Sequence, residues 1–167
     1  MSPPTAPQPE IELRVLDPRL HAWGLPRYHS AQAAGIDLIA CVDADLRLLP
    51  QAAAQLIPTG MAMHMASEDF CAMLLPRSGL GHKRGLVLGN GTGVVDADYM
   101  AEIFVSAWNR NPDGEPIVIA PGERIAQMLF VPVLRPRFRV VDEFSQRSER
   151  GTGGFGSTGV AARGAGA

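Results

Sequence analysis

Short segments in which apolar and polar residues alternate recur along this chain, roughly every 8–12 residues, which is the spacing typical of an all-β domain. Residues 11–15, 61–65 and 103–107 each show this two-residue period. The 18 glycines and 14 prolines are spread along the chain, where they end strands and form turns. The sequence therefore predicts an all-β sandwich, jelly roll or closed barrel.

The predicted strands cover residues 11–15, 33–40, 46–48, 61–65, 70–75, 103–107, 117–119 and 125–133, with a last one at 137–142. Two short apolar strands are also expected to flank a loop centred on Gly91 as a hairpin. Pro58-Thr59-Gly60 predicts a turn. The methionines at 61, 63 and 65 predict a strand face that fills the core. One short helix is predicted, from Ser78 in the N-cap position to Arg84.

Length and charge exclude several classes of protein. The 167 residues suit one domain, and a net charge of −2 argues against a protein that coats nucleic acid. No apolar run approaches the ~20 residues of a membrane span. Residues 1–10 are predicted to be a disordered leader, 11–145 a β jelly-roll domain and 146–167 a flexible arm. Cys41 and Cys71 lack a partner at metal-ligand spacing. They are expected to be reduced, buried thiols of a cytoplasmic protein, with a disulfide between them as the alternative.

The stretch from residue 88 to residue 99 has the composition of a small-molecule site. Its three alternating glycines, at 89, 91 and 93, leave the backbone accessible to a ligand. Asn90 offers an amide that both donates and accepts hydrogen bonds. Asp96 follows two β-branched residues, and the ring of Tyr99 comes three residues later. An ordinary surface hairpin is the alternative interpretation.

Three further stretches carry candidate site residues, one an acidic residue and two with groups suited to an anion. Asp37 lies in an apolar strand, where a carboxylate needs a partner or a cation, unless it is a strand-end turn residue. Arg77 and Ser78 stand at a predicted helix start, which favours phosphate, although a simple capped helix would look the same. In residues 121–128, Arg124 is suited to pair with an acidic residue and Gln127 to bond to phosphate.

The glycine-rich tail offers a fifth group of such residues. Residues 150–159 combine a cation, bare backbone, one ring and two hydroxyl groups. These groups suit phosphate binding and stacking on a flat ligand, although such a tail is usually only disordered.

Taken in chain order, these five stretches resemble the five motifs of the homotrimeric deoxyuridine triphosphatase (dUTPase) family, of bacterial type. The resemblance runs from about residue 28 to residue 159. The matching segments are Ala34-Gly-Ile-Asp-Leu38, Pro76-Arg-Ser-Gly-Leu80, Gly93-Val-Val-Asp-Ala-Asp-Tyr99, Gly122-Glu-Arg-Ile-Ala-Gln127 and Arg150-Gly-Thr-Gly-Gly-Phe-Gly-Ser-Thr-Gly159.

The resemblance implies a hydrolase that converts dUTP to dUMP and pyrophosphate, which supplies dUMP for thymidylate synthesis and keeps uracil out of DNA. It also implies a β jelly roll or distorted barrel, three shared active sites in a homotrimer, and Mg²⁺ as the cofactor. A dCTP deaminase of the same fold and a regulator that senses dUTP are the alternatives. Neither nucleic acid nor membrane is expected as a partner.

The family motifs also imply a role for individual residues. Asp96 matches the carboxylate that activates water for attack on the α-phosphorus. Asp37 matches a residue that approaches the metal through water, with Mg²⁺ held mainly by the triphosphate. The substrate-binding positions implied for phosphates, sugar, uracil and the closing arm are Arg77, Ser78, Gly79, Asn90, Gly93, Val94, Val95, Tyr99, Phe104, Gln127, Arg150, Phe155, Gly156 and Ser157.

The chain departs from the family pattern at two places. Met100-Ala101 follows Tyr99 where the family usually has an Arg-Gly or similar pair, so the neighbouring loop is expected to shift slightly. Ile39 follows Leu38 where a polar or basic residue is common.

Overall fold

The computed structural model describes residues 9–146, which divide into two compact units after Leu134. All of the strands in the described residues lie in the first unit. They are β1 (Glu12–Val15), β2 (Ile36–Ile39), β3 (Leu46–Leu48), β4 (Gln55–His64), β5 (Phe70–Pro76), β6 (Leu86–Leu88), β7 (Gly93–Val95), β8 (Glu102–Asn109), β9 (Ile117–Ile119) and β10 (Arg124–Pro132). The all-β prediction is confirmed.

The strands form two four-stranded antiparallel sheets and one two-stranded sheet. The orders are β1-β4-β8-β6, β2-β10-β5-β7 and β3-β9, and the described residues form no closed barrel. One apolar core is built from the inward faces of these strands. Met61, Met63 and Met65 are all buried in it, which confirms the predicted role of the methionine row.

The predicted turn at residues 58–60 is wrong, because these residues belong to the long strand β4. The register of β4 against β8 shifts between Pro58 and Ala62, so the Pro-Thr-Gly sequence produces a bulge instead of a reversal. Gly60 has a φ of +70°, which glycine adopts without strain. The buried hydroxyl of Thr59 donates a hydrogen bond to the carbonyl of Ile103 at 2.7 Å and holds the bulge against β8.

The structure contains two short helices within residues 9–146, where the sequence predicted one. The unpredicted helix is α1 (Leu20–Trp23), a single turn introduced by an ion pair between Arg19 and Asp17. The second helix is α2 (Ser78–Lys83). Its N-cap is Arg77 and not Ser78, and Arg77 is extended there with no side-chain capping bond.

The last predicted strand, at residues 137–142, is also wrong. These residues belong to the second unit and join none of the sheets within the described chain. An alternating sequence forms a strand only where a neighbouring strand accepts its backbone hydrogen bonds. Phe138 and Val140 are instead 95% and 98% exposed.

The two cysteines are free thiols, as predicted, but they differ in burial. Cys41 is buried, and burial raises the pKa of its thiol to about 11, so it stays protonated at neutral pH. Cys71 is only partly buried, so the expectation of two buried thiols is wrong for this residue. Its strand, β5, lies between β10 and β7, but the pairing with β7 covers only residues 72–74, so Cys71 has a strand partner on the β10 side alone.

Candidate active site

A basic cavity of about 420 Å³ opens where β2, β10 and the start of α2 meet. The central strand β10 brings these segments together, because Gln127 pairs with Asp37 of β2 on one side and with Leu75 of β5 on the other. The cavity is lined by Asp37, Arg77, Ser78, Gly79, Leu80, Lys83, Arg84 and Gln127. Five of these residues were singled out from the sequence, in three separate motifs.

Asp37 is the centre of a cluster of two arginines and one histidine beside this cavity. Its carboxylate is 17% exposed and contacts Arg77 Nε at 2.8 Å, Arg124 Nη1 at 3.2 Å and His29 Nε2 at 3.3 Å. Hydrogen bonds and ion pairs with these partners offset the loss of hydration of this largely buried carboxylate. The predicted pairing of Arg124 with an acid is confirmed. The turn-residue alternative for Asp37 is wrong, since the residue lies inside β2.

Two hydrogen bonds fix the polar side chains at the cavity mouth. Arg77 Nη1 donates to the carbonyl of Arg124 at 3.2 Å, and Gln127 Nε2 donates to the carbonyl of Pro76 at 2.9 Å. Arg77 uses Nε and Nη1 in its contacts with Asp37 and Arg124, and its Nη2 has no hydrogen-bond partner within residues 9–146, so it can donate to a ligand. The backbone just before α2 is therefore tied to β10 from both sides.

Lys83 and Arg84 also line the basic cavity, although no sequence motif predicted them as site residues. Arg84 Nη1 contacts Glu123 Oε1 at 2.6 Å, and its Nη2 donates to the carbonyl of Val118 at 2.7 Å. These contacts join the end of α2 to the segment that precedes β10. The sequence feature that could have identified both residues is their position soon after the predicted phosphate motif, since Lys83 lies in the same stretch as Arg77.

A second cavity, the connector cavity, has a volume of about 300 Å³ and lies beneath residues 89–92. These residues do not close a hairpin, so that prediction is wrong. β6 belongs to the sheet of β8 and β7 to the sheet of β5, and the loop at residues 89–92, here called the connector, therefore crosses between sheets. The cavity is lined by Leu56, Leu74, Leu88, Asn90, Gly93, Val94, Val95, Tyr99, Ile103, Phe104 and Ser106.

The connector cavity is apolar apart from three side chains. The Tyr99 hydroxyl donates to the carbonyl of Glu102 at 2.9 Å. The amide of Asn90 and the hydroxyl of Ser106 have no hydrogen-bond partner among residues 9–146. A small apolar cavity with a few free polar groups is the usual form of a site for a flat ligand. Six of the residues singled out from the sequence line it.

Asp96 directly follows β7 and is exposed. Its backbone carbonyl accepts a hydrogen bond from the Tyr99 N–H at 3.1 Å, which closes a tight turn. Its carboxylate has no ion-pair or hydrogen-bond partner among the described residues, and it lines neither cavity. An unpaired, exposed carboxylate is free to accept a proton from water.

The ladder between β5 and β7 separates Asp96 from the basic cavity. Val95 pairs with Ala72, and Gly93 pairs with Leu74, so β7 runs away from the end of β5 that precedes Arg77. At ~3.3 Å per residue, the backbones of Asp96 and Arg77 lie roughly 20 Å apart along the strand direction. One copy of the chain therefore does not bring these two residues together.

Three comparisons with known proteins agree on the family. The dUTPase family model matches residues 21–159. A deoxyuridine 5'-triphosphate nucleotidohydrolase from Methylococcus capsulatus is 54% identical over 152 residues, which is 90% of this chain and 98% of that protein. The enzyme of the same name from Xanthomonas euvesicatoria is 50% identical over 161 residues, covering 96% and 99%.

The chain belongs to the dUTPase family. A solved structure of the Staphylococcus bacteriophage 80alpha dUTPase with dUPNHPP has a TM-score of 0.76 to this chain at 26% identity, covering 92% of this chain and 100% of the phage protein. The activity is the dUTP diphosphatase reaction, hydrolysis of dUTP to dUMP and pyrophosphate. The names of the relatives support this hydrolase over the dCTP deaminase alternative.

The described residues were also searched for a metal site and for a membrane-spanning helix. Residues 9–146 contain no group of three or more His, Cys, Asp or Glu side chains placed to hold a metal ion. Within the same residues, no helix has the length and apolar character needed to cross a membrane. The arm residues Arg150, Phe155, Gly156 and Ser157 lie outside the described part of the chain.

Proposed function

We propose that this dUTPase holds the triphosphate of dUTP in the basic cavity of one copy and the uracil in the connector cavity of another. The observation that carries this proposal is the charge of the basic cavity. Three cationic side chains line it against one carboxylate. Arg77 offers a free Nη2, and Ser78 and Gly79 lie at the start of α2, where backbone N–H groups lack helical partners. Gln127 adds a polar group beside them, and such donors suit phosphate oxygens.

Uracil recognition is assigned to the connector cavity. Asn90 supplies an amide that both donates and accepts, as the alternating donors and acceptors of a uracil edge require. The apolar walls formed by Val94, Val95 and Phe104 suit the faces of the ring. Tyr99 is assigned to pack against the deoxyribose and leave no room for a 2′-hydroxyl. A missing hydrogen-bond partner disfavours the cytosine edge, and the narrow cavity disfavours the methyl group of thymine.

Asp96 is assigned as the general base. Its carboxylate accepts a proton from water while the water oxygen forms a bond to the α-phosphorus. The bond from that phosphorus to the oxygen bridging to the β-phosphate breaks, and pyrophosphate leaves with the electron pair. The donors around the phosphates stabilise the negative charge that develops during this step.

A site shared between copies of the chain follows from the order of groups along β5. Gly93 of the connector cavity pairs with Leu74 and so lies between Arg77 and Asp96. In dUTP the α-phosphate follows the sugar, and the β- and γ-phosphates lie beyond it. A base at Gly93 with its α-phosphate at Asp96 therefore directs the outer phosphates away from Arg77 of the same copy. A second copy must supply the basic cavity, which supports the predicted homotrimer with shared sites.

Mg²⁺ is proposed as a metal that arrives with the substrate. Both carboxylate oxygens of Asp37 already contact cationic side chains, so this residue is suited to reach a metal through water and not to bind it directly. The residues present fit Mg²⁺ held mainly by triphosphate oxygens. When bound, the ion would neutralise part of the phosphate charge. The closing arm, with Arg150 on the γ-phosphate and Phe155 on uracil, and the cytoplasmic location remain predictions.

A substrate panel tests the proposed function. We expect purified protein with Mg²⁺ to release pyrophosphate from dUTP and less efficiently from the other three nucleotides. For dCTP kcat/KM should fall at least 100-fold, because a missing hydrogen-bond partner discriminates by about 10⁴-fold in well-built sites, and for dTTP and UTP by about 10- to 200-fold, because these add only a methyl or a hydroxyl group. The measurement is kcat/KM for each nucleotide by pyrophosphate release. Ammonia from dCTP would instead show a deaminase, and tight dUTP binding without turnover would show a regulatory binder.

A further inference from the structure

Ser106 belongs to none of the five motifs, yet its side chain lines the connector cavity. It lies on β8, where burial alternates strictly, so Phe104 and Ser106 both face outward beneath the connector. Its hydroxyl is one of few polar groups in a cavity whose walls are mainly leucine, isoleucine, valine and phenylalanine.

The connector is held directly against Ser106. The Gly89 N–H donates to the carbonyl of Ser106 at 2.8 Å. A Cβ added at Gly89 would lie 3.1 Å from Ser106 Oγ and 2.3 Å from the Cβ of Ala54. The absence of a side chain at Gly89 therefore lets the loop approach this hydroxyl, and Asn90, the next residue, lines the same cavity.

The Ser106 hydroxyl has no hydrogen-bond partner among residues 9–146. Its own backbone groups serve the β8 ladder and the connector, so the hydroxyl is not needed to hold either one. A hydroxyl that lies at the wall of an apolar cavity and has no protein partner is available to a ligand. The hydrogen bond contributes most to binding when the ligand displaces water from the cavity.

We propose that Ser106 is a further uracil-binding residue of the dUTPase site, whose hydroxyl donates a hydrogen bond to a carbonyl oxygen of the uracil ring. This inference rests on the proposed assignment of the connector cavity to uracil. The polar side chains of Asn90 and Ser106 then both meet the base, and the apolar walls leave it few other partners. A base that satisfies Asn90 but not Ser106 displaces water from the hydroxyl without replacing its hydrogen bond, and therefore binds more weakly.

The test compares Ser106→Ala and Ser106→Cys with Ser67→Ala. The first two remove or weaken the hydrogen-bonding group, whereas Ser67 lies in the turn between β4 and β5, where its hydroxyl bonds to Asp69. Because a neutral hydrogen bond is modest, we expect the Kd for the non-hydrolysable analogue dUpNHpp to rise about 3- to 10-fold in both Ser106 variants. The kcat/KM for dUTP should fall by a similar factor, mainly through a higher KM, and the Ser67 variant should match wild type.

Thio-substituted substrates distinguish a direct contact from a structural effect. Sulfur accepts hydrogen bonds poorly, so 2-thio-dUTP or 4-thio-dUTP should bind wild type more weakly than dUTP does. If Ser106 contacts that atom, the loss becomes smaller in Ser106→Ala, and the two changes are not additive. Additive losses with both analogues, or an unchanged Kd for dUpNHpp, would overturn the proposal. Failure of wild type to hydrolyse dUTP would instead overturn the proposed function itself.

Discussion

Replacing Asp96 with asparagine is expected to lower kcat for dUTP hydrolysis by about 10²–10⁴-fold, the usual contribution of a general base. Asparagine has nearly the same shape but does not accept a proton from water at neutral pH. Because Asp96 is exposed and pairs with nothing among the described residues, its replacement should leave the fold intact. The KM for dUTP should change little. Steady-state pyrophosphate release gives both constants.

Asp98→Asn is the matched control for this variant. Asp98 is an exposed carboxylate in the same turn, two residues further along the chain. It changes the local charge by the same amount, so a purely electrostatic effect would lower kcat in both variants. We expect Asp98→Asn to keep kcat within about twofold of wild type. Near-normal turnover by Asp96→Asn would show that another group activates the water.

Replacing Arg77 with alanine is expected to lower kcat/KM for dUTP by about 10- to 200-fold, since hydrogen bonds to charged groups contribute about 1.5–3 kcal/mol. The substitution removes a donor to phosphate and one of the partners of Asp37. Arg124 and His29 still contact that carboxylate, so it is not left unpaired. A change in melting temperature of a few degrees at most is therefore expected, and thermal unfolding measures it.

Arg77→Lys separates charge from geometry at the same position. Lysine keeps the positive charge but loses the planar fork that contacts Asp37 through Nε and the Arg124 carbonyl through Nη1. We expect its kcat/KM to lie between those of Arg77→Ala and wild type. Wild-type kinetics in Arg77→Ala would remove this residue from the phosphate site.

The architecture could largely be predicted from the sequence where the two-residue period was clear. The strand at residues 11–15, the methionine row of β4 and the strand β3 are examples. The secondary-structure prediction was wrong where a short sequence is compatible with more than one local structure. Pro58-Thr59-Gly60 forms a bulge because β8 pairs with both sides of it, and α1 is a single turn that depends on the pair of Arg19 and Asp17. Neither long-range pairing nor a one-turn helix leaves a periodic signal.

The candidate site could be predicted only as separate segments. Asp37 and Arg124 are 87 residues apart in the chain, and their contact depends on β2 and β10 being neighbours. Sequence patterns gave each segment a chemical character but no position relative to the others. They also missed Arg84 and Ser106, because a lone residue in an otherwise ordinary strand or loop has no distinguishing spacing.

The sharing of each active site between copies of the chain is tested most directly by mixing the two inactive variants. Asp96→Asn keeps an intact basic cavity, and Arg77→Ala keeps an intact general base. If one copy supplies Asp96 and another supplies Arg77, random reassembly of equal amounts makes about a quarter of the sites fully intact in a closed ring of copies. We expect kcat/KM of the dissociated and reassembled mixture to recover to about a quarter of similarly treated wild type. Activity that stays at the average of the two unmixed variants would show that both residues act from the same copy, which would contradict the shared site.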